Sequence, residues 1–262
     1  WRNSCRARRC AAGSRSRAMP SPPAVDLLLA TLECRGAVSP EERALVRGLE
    51  GSVRRFSRRE ELIVVGSRPV SSCLVTAGMA ARVVGLADGS RQICSLHVPG
   101  DFVDLHGLLL KQMDHSVVTL TPGYAVYYPH EQLREITRRS PHLTRMLWLL
   151  TMIDAAIQRS WIASLGRRSA QAHLCHLLCE LCLRLDVVGL AARHRFEFAL
   201  KQGDLADVLG ISTVHANRCV QQLRADKLIR WLDRSLEILD FRRLAEAAEF
   251  DPLYLNLHRE PR

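Results

Sequence analysis

The 262-residue sequence predicts an α+β protein in which an N-terminal antiparallel β-roll is joined by a long helix to a C-terminal winged helix-turn-helix. Three observations carry that prediction. Between Val53 and Tyr128, short β-branched runs alternate with glycines, and Gly66, Gly78, Gly89, Gly100 and Gly123 recur at the roughly 8–12-residue spacing of a compact antiparallel structure. After Ser140-Pro141 the apolar residues change to helical spacing and keep it for several turns. From Gln202 to Leu223, two short amphipathic segments flank a glycine. The chain then divides into a basic tail read as disordered (residues 1–24, with Met19 an alternative natural start), a roll with flanking helices (25–138), a dimerisation helix (139–165) and a DNA-binding domain (166–262).

In chain order, Val25 to Leu32 and Pro40 to Leu49 predict short amphipathic helices, the second with Glu41 and Glu42 in its first turn, where the macrodipole favours acids. The runs ELIVVG, SSCLVTAG, ARVVGLADG, RQICSLHVPG, SVVTLTPG and YAVYYP predict strands, with Asp88-Gly89 a hairpin turn. Glu131 to Arg138 begins a helical connection. In the long helix that follows, Met146, Leu150, Ile153, Ile157 and Trp161 repeat at a spacing close to 3.5, which predicts a seam against a second copy of the chain. Packing within one chain is the alternative. Gly166-Arg167-Arg168 marks a hinge, Ser169 to Asp186 a further helix and Phe196-Glu197-Phe198 a short strand. Leu228 to Leu239 predicts a two-stranded wing, with Arg230 and Arg234 available to phosphate, and Phe241 to Phe250 a closing helix.

The segment QGDLADVLGISTVHANRCVQQL carries the functional prediction. Leu205, Ala206 and Leu209 form one apolar face, and Ala216, Cys219, Val220 and Leu223 form another. Gly210 between them can take the positive φ of a sharp turn, and Ser212 stands where an N-cap belongs. A plain helical hairpin shares those features, but the outer face of the second helix is polar and bears an arginine. That is the pattern of a helix placed in the DNA major groove. Arg218 suits guanine O6 and N7, a bidentate contact worth about 1–3 kcal/mol of discrimination. Asn217 and Gln221 suit adenine or phosphate, and Thr213 a phosphate near the helix start. Gln202, Ser212 and His215 complete the contact set, and Arg224 and Lys227 suit the DNA backbone.

Composition constrains the class without settling it. The formal charge is +10, but Arg2, Arg6, Arg8, Arg9, Arg15 and Arg17 supply six of those charges from the tail, so the rest of the chain is only modestly basic. No h-region follows these arginines and no apolar run approaches 18 residues, so neither a secretory signal nor a membrane span is expected, and the location expected is cytoplasmic. Nine cysteines do not form a disulfide framework. Cys175, Cys179 and Cys182 lie at i, i+4 and i+7 beside His176. One straight helix rarely supplies three metal ligands, whereas this spacing is that of a buried stripe, so no metal or cofactor is expected there. His97, His106 and His115 stand apart in sequence, without the grouping of a metal-binding roll. No P-loop, nucleophile elbow or carboxylate pair is present, and no catalytic residue is assigned.

The order of roll, long helix and winged helix-turn-helix resembles the Crp/Fnr superfamily of bacterial transcription regulators over residues 41–258. The resemblance is strongest in LHVPGDFVDLHGLLL and in GDLADVLGISTVHANRCVQQLRADKLI, and VHANR with FDPLYL is most similar to the alphaproteobacterial branch. It implies a homodimer on a pseudo-palindromic double-stranded operator, two recognition helices about 34 Å apart, RNA polymerase as a further candidate partner, and a roll of the cyclic-nucleotide-binding jelly-roll type that senses an effector. Two departures matter for DNA. Val214 stands where many members have a glutamate that reads cytosine, and Lys201 where many have a capping threonine. In the roll, Leu105, His115 and Ser116 fall at the positions of the ribose-binding Glu, the phosphate-binding Arg and the following Ser, so cyclic AMP is not the expected effector. Cys5, Cys10 and Cys34 are spaced too widely for the iron–sulfur ligands of the oxygen-sensing members. Two alternatives stay open: a small-molecule-binding roll whose C-terminal helices serve protein contacts, and a metal- or redox-sensing regulator that uses the cysteines.

Overall fold

The computed structural model describes residues 23–260. Most of the predicted tail, with Cys5 and Cys10, lies outside them. Its last residues do not belong to a tail, since Ala24 opens helix α1 (Ala24–Glu33) behind an N-capping Pro23. Helix α2 (Pro40–Arg47) starts with a capping box: Ser39 Oγ accepts from Glu42 N, and Glu42 accepts from Ser39 N.

Seven strands follow: β1 (Ser52–Phe56), β2 (Glu61–Ile63), β3 (Ser71–Ala77), β4 (Ala80–Gly85), β5 (Arg91–His97), β6 (Ser116–Thr119) and β7 (Gly123–Pro129). They pair antiparallel into two sheets, ordered β1-β7-β3 and β2-β6-β4-β5. Phe56, Val75 and Ala125 of the first sheet meet Ile63, Ala80 and Val117 of the second in a shared core with Val103 and Met113. Strand β1 has no sequence signature because four of its five residues, SVRR, are exposed. The β3–β4 turn needs its glycine. Gly78 has φ +81°, and a Cβ there would sit 2.6 Å from Pro122 O.

Helix α3 (His130–Arg139) leads to α4 (Pro141–Arg167), 27 residues long and capped by Ser140 Oγ, which accepts from Leu143 N. Gly166 lies inside α4, so the predicted hinge moves to Arg168 and Ser169, where the backbone is extended. The first half of α4 packs on α1, α2, α3 and the outer side of the β1-β7-β3 sheet. Its second half faces β4 and β5 and the C-terminal domain.

The residues expected to form a dimer seam are packed within the chain. Met146, Ile153, Ile157 and Trp161 are buried in the chain's own core and Leu150 is half-buried. A 3.5-residue repeat marks a buried stripe but not its owner, and here the roll and the C-terminal domain together bury that stripe. Trp148, Met152 and Ile162 are exposed instead, on a face turned about 200° from Met146.

The C-terminal part comprises α5 (Ala170–Val187), β8 (Ala191–Ala192), β9 (Arg195–Glu197), α6 (Gln202–Leu209), α7 (Thr213–Ala225), β10 (Ile229–Leu232), β11 (Ser235–Ile238) and α8 (Phe241–Ala248). Its sheet is ordered β10-β11-β9-β8. The FDPLYL segment forms a 3-10 turn over Pro252–Leu255 that buries Leu255. Cys175, Cys179 and Cys182 are buried in the helix core, and burial pushes the Cys175 and Cys182 thiols up to about 12. One apolar cluster runs without a break from Ala81, Ile93 and Leu96 of the roll through Ile157 and Trp161 to α5, α6 and α7. The two domains therefore share a core.

Candidate nucleic-acid interface and effector site

Helices α6 and α7 are set by local chemistry. Gly210 takes φ 66° and ψ 33°, the left-handed C-cap of α6, and the α6 N-cap, Lys201, makes no side-chain cap bond. Two residues later Ser212 Oγ accepts from His215 N at 3.3 Å and starts α7. Ala216, Cys219, Val220 and Leu223 are buried under α7. Thr213, Val214, His215, Arg218, Gln221 and Arg224 are exposed on it, and Asn217 is half-buried.

The structure joins several of the predicted DNA contacts into one polar row. Asn217 Oδ1 accepts from Gln202 Nε2 at 3.5 Å and from Gln221 Nε2 at 3.4 Å, and Gln221 Oε1 accepts from Arg224 Nη1 at 3.5 Å. Such loose bonds hold a surface in register while leaving it free to exchange partners. Arg218 is exposed and has no hydrogen-bond or ion-pair partner among the described residues. The wing differs from expectation in one respect. Arg230 is paired with Glu237 at 2.9 Å and Arg234 with Glu197, so neither guanidinium is unengaged.

This reading unit is docked on the roll. Asp204, buried on α6, lies 2.6 Å from Arg58 Nη2 and 2.9 Å from Arg91 Nη2, and Asp207 lies 2.7 Å from Arg91 Nε. Gln92 Nε2 donates to Asp207 O at 2.8 Å. None of these residues was singled out from sequence. Their partners are more than a hundred positions away, and no short-range pattern marks them.

The three residues expected to line an effector pocket separate. Leu105, in a 3-10 turn over Leu105–Leu108, lines a cavity of about 60 Å³ between the roll, α4 and α5. Its wall also includes Arg35, His97, Asp154 and Arg184. His115 and Ser116 are not on that wall. His115 instead has Nδ1 2.6 Å from Asp114 Oδ1 and Nε2 accepting from Arg82 Nε at 2.9 Å. Ser116 Oγ is turned to Val65 N at 3.1 Å.

Arg82 is the residue that sequence reading missed. It is buried on β4 and holds Asp154 of α4 at 3.0 Å and Val103 O at 3.3 Å. An arginine at an inward position of a strand was the available signal. Around it gather the three histidines that stand apart in sequence. Desolvation, reinforced by Arg82, brings His106 down to about 4, lowers His115 and holds His97 well below the usual range. Burial raises nearby Asp104 to about 7.

A roll coupled through one helix and one core to a winged helix-turn-helix with an open polar face is the architecture of a DNA-binding transcription regulator with a sensory domain. The comparisons agree. Residues 172–247 match the Crp-like helix-turn-helix domain and residues 53–140 the cyclic nucleotide-binding domain. The transcriptional activator protein FnrL of Cereibacter sphaeroides is 26% identical over 202 residues, covering 76% of this chain and 81% of that protein. The transcriptional activator protein anr of Pseudomonas aeruginosa is 23% identical, covering 86% and 91%. The structure of FixK2 from Bradyrhizobium japonicum superposes with a TM-score of 0.68 at 20% identity, over 76% of this chain and 98% of that one. The chain belongs to the Crp/Fnr family of transcription regulators.

Proposed function

We propose that the protein acts as a homodimer on a pseudo-palindromic operator, reading each half-site with α7. The observation that carries this reading is Arg218, exposed and without a partner among the described residues, on a helix whose opposite face, Ala216, Cys219, Val220 and Leu223, is buried. Arg218 reads a guanine. Asn217 and Gln221 supply adenine or phosphate contacts, and Thr213, His215, Gln202, Ser212 and Arg224 position the helix on the backbone. Val214, exposed in the first turn of α7, offers no acceptor for cytosine N4, so the half-site differs from that of members with a glutamate there. Operator selection from a random-sequence pool, followed by binding titration, tests this. Arg218→Ala should cost about 1–3 kcal/mol and relax one position of the site, and Lys227→Ala should weaken all sequences alike and flatten the salt dependence. Unchanged specificity in Arg218→Ala sinks the assignment.

Cyclic AMP is not the effector in this reading. Leu105 and His115 supply neither the acceptor for a ribose hydroxyl nor a fixed charge for a phosphate, and Arg82 nearby is already committed to Asp154. The adjoining cavity, about 60 Å³, is small beside the roughly 300–1,000 Å³ of ordinary ligand pockets. Calorimetry of the full chain with cyclic AMP should show no stoichiometric heat.

A further inference from the structure

The roll holds a constellation that neither DNA binding nor nucleotide recognition uses. His106, Asp114 and His115 each offer a ligand atom, and the three atoms lie within 4.8 Å of one another. We propose that these residues form a binding site for one divalent transition-metal ion, held by two imidazoles and a carboxylate.

Four observations support the assignment. His106 Nε2 is buried with no hydrogen-bond partner among the described residues, which is uncommon for a polar atom inside a folded domain. His115 Nε2 is held by Arg82 Nε at 2.9 Å, which turns Nδ1 toward Asp114 Oδ1 at 2.6 Å, so two candidate ligand atoms already face each other. Asp154, 3.0 Å from Arg82 Nη1, places a second carboxylate against the cation that borders the cluster. Asp114 is largely exposed, which leaves an entry path from solvent. Two histidines and a carboxylate on one face suit iron(II), manganese, cobalt or zinc, with positions left for water or a small ligand.

The chemistry also says what must move. Cis donors on bonds of about 2.1 Å stand about 3 Å apart, so exposed Asp114 draws back slightly from its 2.6 Å contact with His115 Nδ1 while His106 closes on the pair. In the structure His115 Nε2 accepts from Arg82, so the ring proton is on Nδ1, shared with Asp114. The ion takes the place of that proton between Nδ1 and the carboxylate. The proton passes to Nε2, and His115 then no longer accepts from Arg82. Arg82 is thus a competitor for the site, both by its charge and by its hydrogen bond. This inference is independent of how α7 reads DNA.

The test uses the full chain, stripped with chelator and titrated with cobalt(II), followed by absorption and calorimetry. The expected result is one equivalent bound, with weak visible bands and no thiolate charge-transfer band. Asp114→Ala, on an exposed side chain that folding does not need, should lower affinity by at least the roughly 10–100-fold that a supporting residue costs, and His106→Ala by as much. Arg82→Met should bind more tightly, which an adventitious surface site would not do. No binding, thiolate bands, or affinity unchanged in both Asp114→Ala and His106→Ala overturns the proposal.

Discussion

Arg184 of α5 lies with Nη2 2.6 Å from Asp101 Oδ2, in the loop that follows β5 of the roll. The same guanidinium donates to Leu96 O at 2.8 Å and holds Glu180 at 2.8 Å. Glu180 is fully buried and also accepts from Trp161 Nε1 of α4 at 3.0 Å and from Tyr254 OH at 2.8 Å. One buried ion pair therefore ties the roll, the long helix and the C-terminal turn to the DNA-binding domain. Arg184→Met leaves Glu180 without its cation, and breaking a buried pair on one side costs about 3–5 kcal/mol. Urea denaturation should show that loss. A change below about 1 kcal/mol would mean that the apolar cluster alone joins the domains.

The second tie between the domains is more exposed and should be weaker. Asp204 is buried, but Arg91 is 29% exposed and Asp207 31%, so solvent screens part of their attraction. A double-mutant cycle of Arg91→Ala with Asp204→Asn should give a coupling of about 1–2 kcal/mol. The same substitutions should speed amide exchange in Gln202–Leu209 without melting the protein. Protection of that helix equal to wild type would show that the clamp does not hold it.

Acid should destabilise the C-terminal domain before it protonates the carboxylates fully. Burial, with Arg168 second, lowers both His173 and His176 on α5 to about 4. In the unfolded chain these rings titrate near 6.5, so between that value and 4 the unfolded state binds the extra protons. Stability contributed by the neutral rings is complete above pH 6.5 and is lost as the pH falls toward 4. Each ring accounts for on the order of 3 kcal/mol over that window. Thermal melts from pH 7 to pH 4 should therefore fall less steeply in His173→Gln and His176→Gln than in wild type. Parallel curves would remove both histidines as the cause.

The fold and the recognition helix were legible because their signals are local. Gly210, Ser212 and the 3.6-residue apolar spacing of α7 each act within one or two turns of chain, and the structure keeps all three. The interior of the roll was not legible, because its chemistry depends on register. His97, His106 and His115 come from β5, a 3-10 turn and the residue just before β6, and only the pairing of β4 with β5 and β6 brings Arg82 among them. Asp204 and Arg184 failed for the same reason: their partners are 146 and 83 positions away. Periodicity found the buried stripe of α4, but a 3.5-residue repeat does not say whether the chain itself or a partner covers it, and here the chain's own core does.

The burial of that stripe sets a test of the proposed dimer. Trp148, Met152 and Ile162 recur with Ala155 at alternate steps of four, three and seven along α4, the spacing of a coiled-coil seam, and are 65%, 54% and 69% exposed. Exposed apolar residues in such a row mark an interaction surface, and the row lies opposite the buried Met146, Ile153, Ile157 and Trp161. Met152→Glu and Ile162→Glu should give a folded monomer with an unchanged melting temperature at low concentration. Ile153→Ala should behave in the opposite way, losing about 2–5 kcal/mol of stability through a cavity in the chain's own core while the monomer–dimer equilibrium of the folded protein stays put. Sedimentation velocity beside thermal melts separates the two classes. If Ile153→Ala dissociates a folded dimer and Met152→Glu does not, the seam lies on the buried stripe after all.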